Sequence, residues 1–112
     1  MNTVYKALSD PTRRRILELL REHDMTAGEL ADNFDLAKPT LSKHFAVLKE
    51  ADLIEGDKNG TTITYHLNVT VLEEALMALM NVFGIGEAAN KIAQTREDQI
   101  GRRMQRERRR QR

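Results

Sequence analysis

The side chains best suited to chemistry in this sequence are hydrogen-bond donors clustered between residues 38 and 44. The apolar residues of this stretch, Leu41, Phe45 and Leu48, recur at the spacing of one helical face. At about 100° of rotation per residue, the donors lie on the opposite face or at its flanks. Lysine can donate to guanine O6 and N7, and Ser or Thr hydroxyls can contact bases or phosphates. The pattern therefore predicts either an ordinary solvated helix face or a DNA-contacting surface made of Lys38, Pro39, Thr40, Ser42, Lys43 and His44.

Other reactive groups in the sequence are few and scattered. There is no cysteine, which excludes disulfides, thiolate metal sites and thiol redox sensing. His23, His44 and His66 fall on three different predicted elements and match no metal-ligand spacing, so we expect no metal and no cofactor. A phosphate-binding glycine loop and a convincing catalytic triad are also missing. We therefore predict that the protein is not an enzyme.

Capping signals place the donor-bearing helix behind a short helix and a tight turn. Thr26 and Glu29 match a capping box, and apolar residues across 27–34 mark one face of a helix of about two turns. Residues 35–37 predict a tight connection to a helix over 38–50. Two helices joined by such a turn are typical of a helix-turn-helix, in which the second helix enters the major groove of DNA.

A β-hairpin is predicted directly behind the donor-bearing helix. Residues 53–55 and 61–67 have the pattern of strands, the second being rich in β-branched and aromatic residues. The turn signal between them is Lys58-Asn59-Gly60, with its Asn-Gly pair. A hairpin in this position is a wing. The predicted fold class is therefore mostly α with a small β-hairpin, a winged helix-turn-helix.

A second helix opens at Asp10-Pro11, where aspartate can cap and proline suits the first helical position. Its first turn holds Arg13, Arg14 and Arg15, which oppose the helix macrodipole and so need another source of stabilisation. Phosphate contact by one or two of them, as at Arg14, would supply it. An ion pair with a nearby carboxylate is the alternative, and for Arg13 it is at least as well supported as phosphate contact.

Both ends of the predicted domain present apolar faces. A helix ending near Ser9 and a later helix, begun by Asn68 or Thr70 and ended by Gly84, are predicted to flank the domain. Such faces can pack into the chain's own core or against a two-fold mate, and we expect both uses on different sides of each helix. The residues expected to contribute to a homodimer interface are Val4, Tyr5, Leu8, Leu72, Leu76, Leu79 and Phe83.

The charge of the chain is unevenly distributed. Residues 1–86 have nine Lys/Arg and thirteen Asp/Glu, a net of −4, whereas residues 87–112 have nine and four, a net of +5. We therefore predict a domain over 1–86 and a basic extension over 87–112, helical and then frayed, that either binds a polyanion or is simply solvated. No targeting segment or membrane-spanning stretch is visible, so we expect no membrane insertion and a cytoplasmic location.

The sequence contains three further motifs: residues 7–13 with the apolar residues that follow, residues 41–45 with Leu48, and Gly60 with Tyr65 and Leu67. Together they resemble motifs of the ArsR/SmtB-type repressors, most of all their small cysteine-free, SdpR-like members. The resemblance implies a homodimer that binds a palindromic operator in double-stranded DNA near its own promoter. It also implies base contacts from Lys38, Pro39, Ser42 and Lys43, and phosphate contacts around Thr26 and the wing residues Lys58, Asn59 and Thr61.

The sequence also departs from this family. Metal-sensing members have cysteines in the helix before the recognition helix, where residues 29–33 are Glu-Leu-Ala-Asp-Asn, and residues 71–83 lack the His and Asp ligands of other members. The wing is acidic, with Glu55 and Asp57 beside Lys58. The prediction is a sequence-specific repressor without metal or thiol sensing. The alternative is a winged-helix protein-interaction module gated by a partner protein, and for either hypothesis a protein antagonist is a candidate partner.

Overall fold

The computed structural model describes residues 2–85, and the predicted basic extension lies outside them. The chain divides into two compact units, one ending at Ala75 and one beginning at Leu76. The architecture is a winged helix-turn-helix, which confirms the predicted fold class. In chain order its elements are α1 (Asn2–Leu8), α2 (Pro11–Glu22), β1 (Met25–Thr26), α3 (Ala27–Ala31), α4 (Lys38–Glu50), β2 (Ile54–Asn59), β3 (Thr62–Leu67) and α5 (Val69–Val82).

The helices begin where the local capping chemistry predicts. The Asp10 carboxylate accepts the Arg13 backbone N–H at 3.1 Å and caps α2. At α3, the Glu29 N–H donates to Thr26 Oγ1 and the Thr26 N–H donates to the Glu29 carboxylate, a complete capping box. By contrast, Ala37 offers α4 no side-chain cap, so Pro39 is the local feature that favours its start. The short helix α3 ends at Ala31, earlier than the predicted two turns.

After two of the helices, the chain changes direction at a residue with a left-handed backbone conformation. After α5, Gly84 has a φ of 74°, and Ile85 N–H donates to Met80 O at 2.7 Å, which confirms the predicted C-cap. After α4 the same pattern of bonds occurs at Asp52, whose φ is 59°. This conformation suits glycine better than a residue with a Cβ. The backbone at Asp52 turns α4 directly into the strand β2.

The wing is part of a three-stranded antiparallel sheet with the order β1-β3-β2. Asn59 pairs with Thr62, so the hairpin loop is Gly60-Thr61, and the predicted turn at Lys58-Asn59-Gly60 was wrong by one residue. Gly60 has a φ of 65° and takes the first loop position, where type II′ hairpins place glycine. β2 is also longer than predicted, because it pairs with β3 along its whole length.

The strand β1 was not predicted. It consists of two residues, and Met25 pairs with Tyr65 while Thr26 pairs with Thr64. Its position therefore ties the start of α3 to the wing. On the other side of β3, Gly56 in β2 leaves room for neighbouring side chains, because a Cβ there would lie 3.0 Å from both Ile63 Cγ2 and Tyr65 Cε1.

In the first unit, an apolar cluster lies under the helices and the sheet. The stripe predicted to face inward, Leu41, Phe45 and Leu48, is buried, which confirms the predicted rotation of α4. The rings of Phe45 and Tyr65 are 4.9 Å apart and join α4 to β3. Across the described residues, no helix is both long and apolar enough to cross a membrane. The largest fully buried side chains are Ile16, Leu30, Leu48, Leu53 and Ile54.

Candidate nucleic-acid interface

The outward face of α4 brings the predicted donors together. Because the apolar stripe of the helix is buried, Lys38, Ser42 and Lys43 point away from the core and are exposed. Ala46 is exposed one turn beyond Ser42, so small side chains lie along the middle of this face. A face of this shape lets lysines reach base edges while the helix axis stays close to the groove. We call the exposed donors Lys38, Thr40, Ser42 and Lys43, together with the neighbouring Pro39, the donor face.

His44 is the predicted contact residue that the structure separates from the donor face. Its side chain is 17% exposed and turns toward the start of α2, where it approaches Asp10 and Arg13. The spacing of apolar residues placed His44 at the flank of the outward face. What the spacing could not indicate is that α2 supplies partners for the ring on that side.

Each arginine in the first turn of α2 has a partner within the chain. The Arg13 guanidinium donates to the carbonyl oxygens of Lys6 and Ala7, each at 2.8 Å, and Arg14 Nη1 donates to Leu8 O at 2.9 Å. Arg15 forms an exposed ion pair with a carboxylate one turn later in α2. The first two arginines therefore satisfy carbonyls at the end of α1, where helices leave such groups without partners. Arg14 stays exposed and keeps donors for other ligands.

Thr26, a predicted phosphate contact, is occupied by the capping box. Its hydroxyl accepts the Glu29 N–H at 3.1 Å. The Glu29 carboxylate accepts hydrogen bonds from the backbone N–H and the hydroxyl of Thr26. Both bonds lower the pKa of Glu29 below its ordinary value, and the backbone bond has the larger effect. The carboxylate is thus held in its anionic form beside Thr26. A phosphate at this position would have to approach a fixed negative charge.

The wing has exposed polar residues at its tip and acidic residues at the end nearer the core. Lys58 and Asn59 end β2 and Thr61 lies in the loop, so all three predicted wing residues are exposed together. Nearer the core, His66 Nε2 lies 3.1 Å from a Glu55 carboxylate oxygen. Its Nδ1 lies 3.6 Å from Asp57 Oδ2. The sequence analysis missed this His66 cluster, which follows from the register that pairs Glu55 with His66.

A cleft of about 250 Å³ opens between α3 and α4, next to the donor face. Its floor is apolar, and Lys38 and Ser42 lie among its lining residues. The cleft separates the two helices of the helix-turn-helix at the surface where α4 is exposed. Its lining residues are Ala27, Gly28, Ala31, Lys38, Leu41, Ser42 and Phe45.

The residues predicted for a dimer interface differ in their exposure. Val4 is buried in the chain's own core, and Tyr5, Leu8 and Leu72 are partly buried against that core. The Tyr5 hydroxyl donates to Ala75 O at 3.2 Å. In the second unit, Leu76 and Leu79 are exposed on α5, and Phe83 is 73% exposed just after it. We call Leu76, Leu79, Val82 and Phe83 the α5 apolar face.

The described residues contain no group of three His, Asp or Glu side chains placed to hold a metal ion. His23 is exposed, and its Nδ1 contacts the carbonyl oxygen of the next residue. His44 and His66 lie in separate clusters, one at α2 and one in the wing.

Comparison with known proteins identifies relatives over most of the chain. Residues 8–57 match a family described as "Helix-turn-helix domain". The transcriptional repressor SdpR of Bacillus subtilis is 46% identical over 87 residues, which are 78% of this chain and 97% of that protein. An arsenical resistance operon repressor of Staphylococcus xylosus is 38% identical over 65% of this chain and 70% of its own length. An ArsR-like regulator from Rhodococcus sp. RHA1 has a TM-score of 0.66 at 28% identity, covering 86% of this chain and 89% of its own.

Proposed function

This chain belongs to the ArsR family of helix-turn-helix transcription regulators, and on that premise we propose that it represses as a homodimer on a palindromic operator. The chain is a DNA-binding transcription repressor and not an enzyme. We infer that the donor face of α4 reads the base edges of the operator. The observation that carries this inference is the burial of Leu41, Phe45 and Leu48, which turns the donor face outward.

Within the donor face, Lys38 and Lys43 are the proposed base-reading residues, since lysine donates to the two acceptors on the major-groove edge of guanine. Ser42 lies between them and serves either bases or phosphates, while Pro39 and Thr40 contact DNA at the start of α4. His44 is left out of this contact set because its ring faces α2. Phosphate contacts are proposed for Arg14 and for the wing residues Lys58, Asn59 and Thr61.

The proposed operator lies upstream of the protein's own gene, as the resemblance to SdpR-like autorepressors implies. A two-fold dimer presents two copies of α4, so the operator has two half-sites related by a palindrome. The half-sites are expected about 10 base pairs apart, or a multiple of that, so that both face the same side of the duplex. This activity takes place in the cytoplasm.

The proposal predicts that Lys43→Ala weakens specific DNA binding about fivefold or more without unfolding the protein. The probe is a duplex that the wild-type chain enriches from a random library, and affinity is measured by fluorescence anisotropy at one fixed salt concentration. Lys49→Ala is the matched control, because Lys49 is an exposed lysine in the last turn of the same helix.

Equal affinities for wild type and Lys43→Ala would refute the donor face as the base-reading surface. A wild-type chain that enriches no duplex at all would instead favour the protein-interaction module. The two results are distinguishable, because the first needs an enriched duplex and the second is the failure to obtain one.

A further inference from the structure

One arginine in the first turn of α2 reaches both α1 and α4. Arg13 Nε and Nη2 donate to the carbonyl oxygens of Ala7 and Lys6, each at 2.8 Å, and Nη1 lies 3.3 Å from Nδ1 of His44. All three guanidinium nitrogens are therefore used, two at the end of α1 and one on α4. Arg13 is half-buried, and the His44 side chain is only 17% exposed. Contacts sheltered in this way are less weakened by solvent than surface contacts.

The chemistry of the two side chains assigns the direction of the Arg13–His44 contact. A guanidinium has donors and no acceptor, so His44 Nδ1 must accept the hydrogen bond and carry no proton. The neutral ring then carries its proton on Nε2. A protonated Nδ1 would have Asp10 as its partner, but the Asp10 Oδ2 atom is 3.8 Å away, which is beyond hydrogen-bond distance. The geometry thus selects one tautomer of His44.

This contact lies where it can set the orientation of α4. The Nε and Nη2 atoms of Arg13 donate to carbonyl oxygens of α1, so the position of its Nη1 depends on α1 as well as on α2. His44 follows Lys43 directly on the helix that bears the donor face. We propose that Arg13 and His44 are positioning residues, which fix α4 at the angle needed for DNA specificity without touching DNA themselves.

The proposal rests on α4 being the helix that reads DNA. It predicts a change in binding that differs from the effect of a purely stabilising residue. Base contacts depend on placement within a fraction of an ångström, whereas nonspecific phosphate contacts tolerate small rotations. Loss of a positioning contact should therefore lower the affinity for the preferred sequence and leave nonspecific affinity almost unchanged. A residue that only stabilises the fold would change the melting temperature and not this ratio.

The test uses four single variants, the double variant Arg13→Leu/His44→Leu and two duplexes. The first duplex is the one that wild type enriches from a random library, and the second is its scrambled sequence. Arg13→Leu and His44→Leu remove one partner each, His44→Asn keeps an acceptor near the place of Nδ1, and Arg15→Leu is the charge-matched control on the same helix turn. Arg15 suits this purpose because it is exposed and its ion pair is with Glu18 of the same helix.

The expected result is an about tenfold loss of affinity for the enriched duplex in Arg13→Leu and His44→Leu, with an almost unchanged affinity for the scrambled one. His44→Asn should regain most of the loss, and Arg15→Leu should leave the ratio of the two affinities unchanged. In the double variant the losses should be less than additive, since both changes break one contact.

Two results would overturn the proposal. A parallel loss on both duplexes in Arg13→Leu, with a flatter salt dependence, would make Arg13 a phosphate contact. Equal effects of His44→Asn and His44→Leu would show that the acceptor on His44 does not matter. If Arg13→Leu does not fold, three other variants decide the question: His44→Leu, His44→Asn and Arg13→Lys. The last keeps the charge of Arg13 without its forked donors.

An independent measurement needs no DNA. Nitrogen-15 NMR should find that the neutral His44 ring carries its proton on Nε2 and none on Nδ1, and the opposite tautomer would refute the Arg13 contact. If no duplex can be enriched, the proposed base-reading role of α4 fails while this measurement still judges the contact itself.

Discussion

The first turn of α2 holds three consecutive arginines, although the helix macrodipole disfavours cations there. The explanation lies in the preceding helix, whose last carbonyls accept hydrogen bonds from Arg13 and Arg14. Charge-assisted hydrogen bonds to otherwise unpaired carbonyls offset the unfavourable dipole. Neither phosphate contact nor an ion pair with a carboxylate, the two alternatives that the sequence left open, is therefore needed to account for Arg13.

Asp10 makes the stability of this turn depend on pH. Partial desolvation raises the pKa of Asp10, but hydrogen bonds from the backbone N–H groups of Arg13 and Thr12 and the positive charge of Arg13 hold the pKa below its ordinary value. The unfolded chain then binds the Asp10 proton more readily than the folded chain. The stabilisation is present above about pH 4 and is lost as the pH falls through the folded pKa.

We predict that Asp10→Asn lowers the free energy of unfolding at neutral pH, and that the difference from wild type shrinks toward about pH 3. Asparagine keeps the N-cap acceptor, so the variant removes mainly the charge. Asp10→Ala is the control, since it also removes the cap and should lose about 1 kcal/mol more. Urea unfolding followed by circular dichroism at a series of pH values measures this, and a pH-independent gap would contradict it.

At the scale of elements, α4 is unusual at both ends. It starts without a side-chain cap at Ala37, and two residues after its end Asp52 has the left-handed backbone that usually belongs to glycine. Asp52 also places a carboxylate at the negative end of the helix macrodipole, which is unfavourable. Its backbone carbonyl accepts a hydrogen bond from Asn68 at 2.7 Å, and this bond ties the end of α4 to the start of α5.

Asp52→Gly is therefore predicted to stabilise the protein by about 0.5–1 kcal/mol. The substitution removes the left-handed strain and the carboxylate, while the backbone carbonyl that Asn68 contacts stays in place. Thermal and urea unfolding measure the effect. Asp52→Ala is the control, because it removes the same charge and keeps a Cβ, so it should fall short of the glycine variant. A glycine variant no more stable than the alanine variant would show that strain at this position is negligible.

At the scale of the whole molecule, the α5 apolar face is the surface among residues 2–85 that most needs a partner. Its members Leu76, Val82 and Phe83 are exposed in the chain, and monomeric proteins rarely expose clustered large apolar side chains. A second copy of the chain is the partner consistent with a palindromic operator. Val4 is already buried in the chain's own core, so we do not include it in the proposed dimer contact.

The dimer proposal predicts that Phe83→Glu converts the protein from dimer to monomer and weakens operator binding. Because Phe83 is 73% exposed in the single chain, the substitution removes little packing within that chain. Leu36→Glu is the control, since Leu36 is an exposed leucine outside α5. Analytical ultracentrifugation gives the oligomeric state. A wild-type chain that sediments as a monomer, or a Phe83→Glu variant that stays dimeric, would rule out this interface.

Much of the architecture can be predicted from the sequence because the signals are local. The capping box at Thr26 joins residues three apart, and the glycine cap at Gly84 depends on its own backbone. The buried stripe of α4 follows from helical periodicity alone, and so does the outward direction of Lys38 and Lys43. Periodicity therefore predicts most of the donor face before any contact between elements is known.

Other features depend on contacts between residues far apart in the chain. β1 is two residues long and exists because β3 pairs with it, and the hairpin loop is one residue later than its Asn-Gly signal because β2 and β3 pair through Asn59 and Thr62. His44 lies at the edge of a helical face by periodicity, yet its ring faces Arg13, 31 residues earlier in the chain. The face of a helix on which a side chain lies follows from the sequence of that segment alone. A hydrogen bond between two elements needs both partners, and packing brings the partners together only in the folded chain.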